Sequence, residues 1–377
     1  MKLSNAIIYR SMLPAPLDAE AVEEAMRKFE FVPTGPTQEH AIGWVPPREK
    51  HGALIEVING QWIMELMVET RAVPGSAVRK RVDERAEGIE KVTGRKPGTK
   101  ERKELKEDAL RELLPRAFPK QSRVAVWLDP EANCIVIDTS SQGKADQAAS
   151  MLVQSIEGLA LSLVNTAKDP RHSMANWLLD ADALPAGFTI DRDAELCAVD
   201  ESKAIVKYSK HSLDTEEVRK HVQHGLLPSK LAMTWDDRVS FILTEGMQLR
   251  GINFIDGMMQ APSDAPPADE FDANVAISTG EMSLVIAALI DALGGEAQMT
   301  IADAQPGAGA PQGFDEDPLF DQAREVVLEK RKASISLVQR HLRIGYNRAA
   351  RLLEALEQRG VVSAMGADGT RTMLEVA

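Results

Sequence analysis

Asn347, Arg351 and Glu354 fall at i, i+4 and i+7 along one stripe of a helical segment, with Arg348 beside them. These side chains suit base edges. Arginine donates to guanine O6 and N7, asparagine pairs with adenine, and a carboxylate accepts from cytosine N4. The amino-terminal end of a recognition helix is the part that reaches bases, so the stripe has the chemistry of direct readout. Arg and Glu at helical spacing also mark an ordinary solvated face, and winged helices also serve as protein-binding modules. Pattern alone leaves both readings open.

The segment from Ser334 to Gly360 must hold that stripe. Ser336 and Gln339 have capping-box spacing and predict a helix start. Gly345 predicts the tight turn between two helices. A second helix is expected from about Tyr346 to Arg359, with Ala349, Leu352, Leu353 and Leu356 toward a core and Gly360 as its carboxy-terminal cap. Val361-Val362 and Arg371 to Val376 read as two short strands around a turn from Gly366 to Gly369, making a wing. With its phrases RKASISLVQR, RIGYNRAARLLEALE and GVVS, the stretch from Asp317 to Val376 resembles the gamma domain of the FtsK DNA translocases. The resemblance implies a winged helix that reads a short G-rich sequence, with Asn347, Arg351 and Glu354 at the reading positions. It does not extend to the motor. No G-x-x-x-x-G-K-[ST] loop occurs in the sequence, and Gly98-Thr99-Lys100 lacks both the order and a preceding apolar strand.

The chain has 377 residues, enough for two or three domains, and 44% hydrophobic residues, enough for a substantial core. Two cysteines, Cys134 and Cys197, give neither a disulfide framework nor metal spacing. The first residues lack a signal-peptide pattern. The best apolar run, Met282 to Leu293, is shorter than a membrane span. A reduced cytoplasmic setting without membrane attachment is therefore expected. The formal charge of −13 conceals unlike regions: −3 over 1–78, +6 over 79–123, −19 over 124–320 and +3 over 321–377. Two basic islands flanking an acidic body suit DNA gripped locally rather than everywhere.

Along the body, Asn5 to Arg10 reads as a strand and Asp18 to Lys28 as a helix capped by Asp18. Gly43 to Pro47 reads as a stiff turn. Ala53 to Ile58 and Gln61 to Thr70 read as strands around an Asn59-Gly60 hairpin signal. A charged helical region follows from Ser76 to about Leu114, broken near Thr93 to Thr99. Arg123 to Leu128 and Asn133 to Thr139 form a second expected hairpin, then one long helix over Gln142 to Thr166 and another over Ser173 to Leu179. Two strands are expected within Ala194 to Tyr208, a helix over Thr215 to His224, and a strand pair of Leu231 to Leu243 with Met247 to Phe254. Gln260 to Glu270 reads as a loop, Thr279 to Leu293 as an amphipathic helix, and Thr300 to Gly313 as a flexible linker.

In the basic island, acids interleaved at helical spacing make an ordinary salt-laced face as reasonable as a DNA contact. Arg95 to Lys100 differs, because Pro97 and Gly98 break it into a loop that can lay Arg95, Lys96 and Lys100 along phosphates. Arg116 and Phe118 share a turn, where Phe118 reads as a core anchor or an exposed tip. His221 and His224 lack further ligands, and Asp236-Asp237 suits a turn better than a metal-dependent nuclease. Together, Gly43-Trp-Val-Pro-Pro47, Leu113-Leu-Pro-Arg-Ala-Phe118, Lys230-Leu-Ala-Met-Thr-Trp235 and Gly294-Gly-Glu-Ala-Gln298 resemble the bacterial RdgC family over residues 1–298. That resemblance implies a non-enzymatic α/β body that closes as a homodimeric ring around duplex DNA and restrains RecA-promoted recombination. It implies a DNA contact at Arg95, a gating finger at Phe118, and a basic-polar turn at Lys210, His211 and Leu213. His211 stands where the family commonly has glutamine, and Leu226 where a lysine can follow the glycine.

The expected architecture is thus α+β: a body over 1–298, a linker over 299–316 and a winged helix over 317–377. No cofactor, metal or catalytic residue is expected. The partners expected are double-stranded DNA, a second copy of the chain, and RecA or a site-specific recombinase, in a nucleoid-associated setting. The alternative is an interaction protein whose winged helix recruits a partner while only the ring binds DNA.

Overall fold

Alternation of apolar residues on successive strands places two cores on opposite faces of one large sheet. The computed structural model describes residues 1–14, 16–48, 52–199, 204–255, 267–297, 317–365 and 371–374. Its body begins β1 (Asn5–Met12), α1 (Ala19–Arg27), β2 (His40–Val45), β3 (Glu56–Ile58) and β4 (Gln61–Arg71). Next come α2 (Gly75–Thr93), α3 (Thr99–Leu113), β5 (Pro119–Asp129), β6 (Cys134–Ile137), α4 (Gln142–Ser155), β7 (Ala160–Leu163) and α5 (Pro170–Leu179). It continues β8 (Phe188–Ala198), β9 (Ile205–Tyr208), α6 (Glu216–Gln223), β10 (Leu226–Trp235), β11 (Val239–Thr244), β12 (Leu249–Phe254) and α7 (Pro267–Ala292). The carboxy-terminal part holds α8 (Phe320–Lys330), α9 (Ile335–Leu342) and α10 (Tyr346–Gln358).

The main strand path runs β2-β4-β5-β6-β1-β12-β11-β10-β8-β9, with β3 on β4 and β7 on β1. All these pairings are antiparallel, and β1 joins the two halves by pairing with β6, β7 and β12. In β1, Ile7 and Tyr9 face one core while Ala6 and Ile8 face the other, as the two-residue period of a strand requires. The same division separates Met64 from Ile63, Val126 from Trp127, and Ile135 from Val136. The second core is covered by α5, α6 and α7; the first is covered by α1 and α4 and continues into α8, α9 and α10. The fold is α+β, as the sequence predicts.

Several local expectations are corrected. Gly43 to Val45 are strand, not turn: β2 pairs with β4, and a Cβ on Gly43 would lie 2.5 Å from the Phe31 Cα. Glycine is needed there because the Phe29–Phe31 backbone crosses β2, with Phe31 N–H donating to the Trp44 carbonyl at 2.9 Å. The expected single helix over Gln142 to Thr166 is α4 followed by β7. Ile156 is already extended and Gly158 takes φ +82°, which turns the chain back to pair with β1. Leu231 to Leu243 is two strands, because Asp236 and Asp237 both adopt the left-handed region and close a β10–β11 hairpin. Helix α7 begins at Pro267, inside the expected loop; positions 260–266 of that loop lie outside the described residues. Within it, Glu270–Ala292 is long and apolar enough by composition to cross a membrane, contrary to the sequence expectation, and half of its most apolar window is buried. Val275, Met282, Val285 and Leu289 are buried in the second core, as in a core helix of a folded body.

In the carboxy-terminal part, Ser334 rather than Ser336 caps α9, its hydroxyl accepting from the Leu337 N–H at 3.3 Å. Ser336 is the second residue of α9 and is buried. The left-handed residue between α9 and α10 is Arg343, with φ 53°, whereas Gly345 is extended and precedes α10. Gly360 takes φ 72°, as a helix-ending glycine should. Among the described residues the wing shows as bridges between Val362 and Met373 and between Ala333 and Arg371, and the end of its second expected strand, 375–376, lies outside them. The turn at 366–369 and the linker over 299–316 also lie outside the described residues.

Candidate nucleic-acid interface

The basic island folds as the α2–α3 hairpin, and ion pairs between its helices take up several of its charges. Arg81 and Arg85 both reach Glu112, tying α2 to α3. Gly94, with φ 69°, ends α2 and starts the tip. There Arg95 donates two hydrogen bonds to Glu101, at 2.8 and 2.6 Å. Those bonds, with the Gly98 N–H at 2.9 Å, hold the Glu101 carboxyl down at about 2. Lys96 and Lys100 are exposed and make no ion pair among the described residues. The tip therefore offers two free ammonium groups and a guanidinium already holding a carboxylate.

After α3, a short 3-10 turn over Leu114–Arg116 leads into β5. Leu114 is buried, and Arg71 donates to the Ala117 carbonyl at 3.2 Å, so the turn is fixed from beneath. Arg116 is exposed, and Phe118 projects with 92% of its surface exposed.

Lys210 and His211 lie on the turn after β9 and are exposed. Lys210 takes φ 53°, a conformation held by Asp193, which accepts from the Lys210 N–H at 3.2 Å and the Ser209 hydroxyl at 2.8 Å. The His211 ring packs at a tilt against Tyr208, 5.7 Å between centroids. Lys207 and Lys230 both pair with Glu195 at 3.1 Å. His221 contacts the Tyr208 hydroxyl at 2.6 Å. Among the described residues, no group of three or more His, Cys, Asp or Glu stands where it could hold a metal ion.

On α10, Arg351 and Glu354 are exposed. Arg348 is not free: its guanidinium donates twice to Asp317, at 3.0 and 2.9 Å, and holds that carboxyl below its usual range. Asn347 faces the body, its side-chain amide donating to the Leu159 carbonyl at 3.1 Å. Beside it Tyr346 is buried, with its hydroxyl donating to the Asp146 carbonyl at 2.6 Å and lying 2.9 Å from Ser150 Oγ. Arg340 on α9 donates to the Gly246 carbonyl at 3.0 Å. Arg340, His341 and Lys332 form one wall of a cleft of about 830 Å³ whose other side carries Arg171, Lys230 and Arg250. Sequence reasoning missed the parts played by Tyr346, Arg340 and Ser150. An aromatic residue at the first position of a supposed reading helix was the available signal.

The candidate residues thus fall into four clusters: the α2–α3 tip, the Phe118 turn at the other end of α3, the turn after β9, and α10. Comparison with known proteins accounts for two parts of the chain. Residues 1–296 match the family model described as "Putative exonuclease, RdgC". Residues 314–375 match the model described as FtsK gamma domain. A recombination-associated protein RdgC from Dechloromonas aromatica is 41% identical over 301 residues, covering 78% of this chain and 98% of that protein. Its counterpart from Bordetella pertussis is 38% identical over 298 residues, covering 78% and 99%. That from Burkholderia cenocepacia is 36% identical over 310 residues, covering 82% and 100%. With near-complete cover of these relatives and an FtsK gamma winged helix following the shared part, the chain belongs to the RdgC family.

Proposed function

We propose that this chain is a non-enzymatic protein of recombination that binds duplex DNA in two ways. The body, 1–298, holds the duplex through phosphates as a homodimeric ring. The winged helix, 317–377, reads a G-rich site, and the segment 299–316 tethers the two. The observation that carries this reading is the exposed pair Arg351 and Glu354 on the α10 face that begins at Asn347. The exposed Lys96 and Lys100 at the α2–α3 tip support a phosphate-gripping body, and the exposed Arg116 beside the projecting Phe118, at the other end of α3, supports a finger at its closure. Held in a ring, the duplex leaves slowly even when contacts are few, and this obstructs a RecA filament. The tether raises the local concentration of the reading head, strengthening both modes. A cytoplasmic, nucleoid-associated location follows from such a role.

Fluorescence anisotropy of the full chain on a G-rich duplex and a scrambled one, across a salt series, tests this. Arg351→Ala should cost roughly 1–3 kcal/mol on the G-rich duplex and little on the scrambled one. Equal losses on both would make Arg351 a phosphate contact and remove base reading. A second reading, recruitment of a site-specific recombinase by the winged helix, is favoured by the contact of Asn347 with protein rather than solvent. It predicts no preference between the duplexes. The word exonuclease in the family description is tested by incubating end-labelled duplex with the chain and a divalent metal. Protein-dependent shortening of the label would overturn the non-enzymatic reading.

A further inference from the structure

The two residues that begin α10, Tyr346 and Asn347, are both seated on the body. Asn347 is the reading residue nearest the helix start, the end that must enter a major groove about 12 Å wide. That end is seated on the body: Tyr346 lies 1% exposed over Asp146 and Ser150, with its ring edge-on to Tyr9 at 6.2 Å and 80°. With the Tyr346 hydroxyl 2.6 Å from the Asp146 carbonyl, no base pair fits between α10 and α4. Arg351 and Glu354, roughly 6 and 10 Å further along the axis at about 1.5 Å per residue, remain outside.

The Asn347 amide is also only half used. Its nitrogen donates to Leu159, while its Oδ1 is buried without a hydrogen-bond partner among the described residues. Adenine engages both ends of such an amide. The docked site therefore holds a group whose acceptor it does not satisfy.

We propose that α4 and β7 form a docking face for the recognition helix, and that docking and base reading exclude one another. Undocking is then the step that admits a G-rich site, so the body sets the fraction of chains able to read. This rests on the base-reading function proposed above.

The test uses full-length chain and Ser150→Glu, which places a charge under the Tyr346 hydroxyl from the body side and leaves every reading residue intact. Hydroxyl-radical footprinting at Tyr346 reports docking. Anisotropy on G-rich and scrambled duplexes reports reading. The expected result is new oxidation at Tyr346 and tighter binding to the G-rich duplex alone, by roughly tenfold if nine chains in ten are docked. Exposed Tyr346 with unchanged affinity, and a G-rich preference in both chains, overturns the docking proposal while base reading stands. Exposed Tyr346 with no preference in either chain overturns base reading and the docking proposal with it. Should the variant misfold or stay docked, the parent chain decides. Saturating G-rich duplex, and not scrambled duplex, must raise oxidation of Tyr9 beneath the docked ring; unchanged Tyr9 overturns the proposal.

Discussion

Asp146 lies on α4 directly beneath the carboxy-terminal part, and its replacement by asparagine gives a sharp test of how that layer is packed. Its carboxyl is 1% exposed and pushed up to about 7, chiefly by burial. A hydrogen bond from Gln142 at 2.9 Å and the charges of Arg340, Arg371 and Lys332 oppose the rise. The folded chain thus keeps this proton to about pH 7, whereas an unfolded chain releases it near 4. Stability is untouched by this group below pH 4, falls as the pH rises from 4 to 7, and carries a constant penalty above. Three pKa units at 1.36 kcal/mol each put that penalty at up to about 4 kcal/mol. Asp146→Asn keeps an acceptor for Gln142 and cannot ionise. Urea unfolding at a series of pH values should show the variant gaining on its parent between pH 4 and 7 and holding the gain above. Any fixed cost of seating the new amide shifts the whole curve without changing its shape. A difference independent of pH would refute the reasoning, and would mean that Asp146 is ionised and solvated at neutral pH.

Glu101→Gln releases Arg95 while keeping a group able to cap α3; affinity for scrambled duplex should rise and the log–log salt slope steepen by about one. An unchanged slope would remove Arg95 from the phosphate path. Phe118→Ala should leave the melting temperature within a degree or two, since the ring is 92% exposed, yet weaken self-association and speed dissociation from DNA. Unaltered sedimentation together with an unaltered off-rate would reject a finger. Gly43→Ala should cost about 1–3 kcal/mol by forcing β2 away from the Phe31 backbone, and parental stability in urea would show that this crossing is loose.

Where local chemistry dictates structure, the sequence was readable. Asn59 and Gly60 both adopt positive φ, and their dipeptide announces the β3–β4 hairpin. Asp18 caps α1 through its own side chain. Long-range pairing was not readable. The apolar run after Ser155 suits helix or strand equally, and only the open edge of β1 decides for β7. The stripe Asn347, Arg351 and Glu354 was legible as one helix face, but the burial of its first member depends on Leu159, 188 residues earlier in the chain. In the same way, Phe118 was ambiguous until Leu114 was seen to occupy the core position of its turn.

The division of the sheet into two faces explains why the carboxy-terminal part docks where it does. Helices α5, α6 and α7 pack over the second core. Among the described residues the body helices that contribute to the first core are α1 and α4, and Tyr9, pointing to that face from β1, meets Tyr346. The seat is therefore built from residues that the body's own strand alternation puts there. A reading helix needs polar groups at its start, and a docked helix needs an apolar one. Consecutive positions supply both, Tyr346 toward α4 and Asn347 toward β7. Substituting Tyr346 with a small polar residue removes the seat and keeps the reader. Substituting Asn347 with leucine removes the reader and leaves the Tyr346 contacts in place. Opposite effects of these two changes on G-rich binding are what competition for one helix end requires, and parallel effects are incompatible with it.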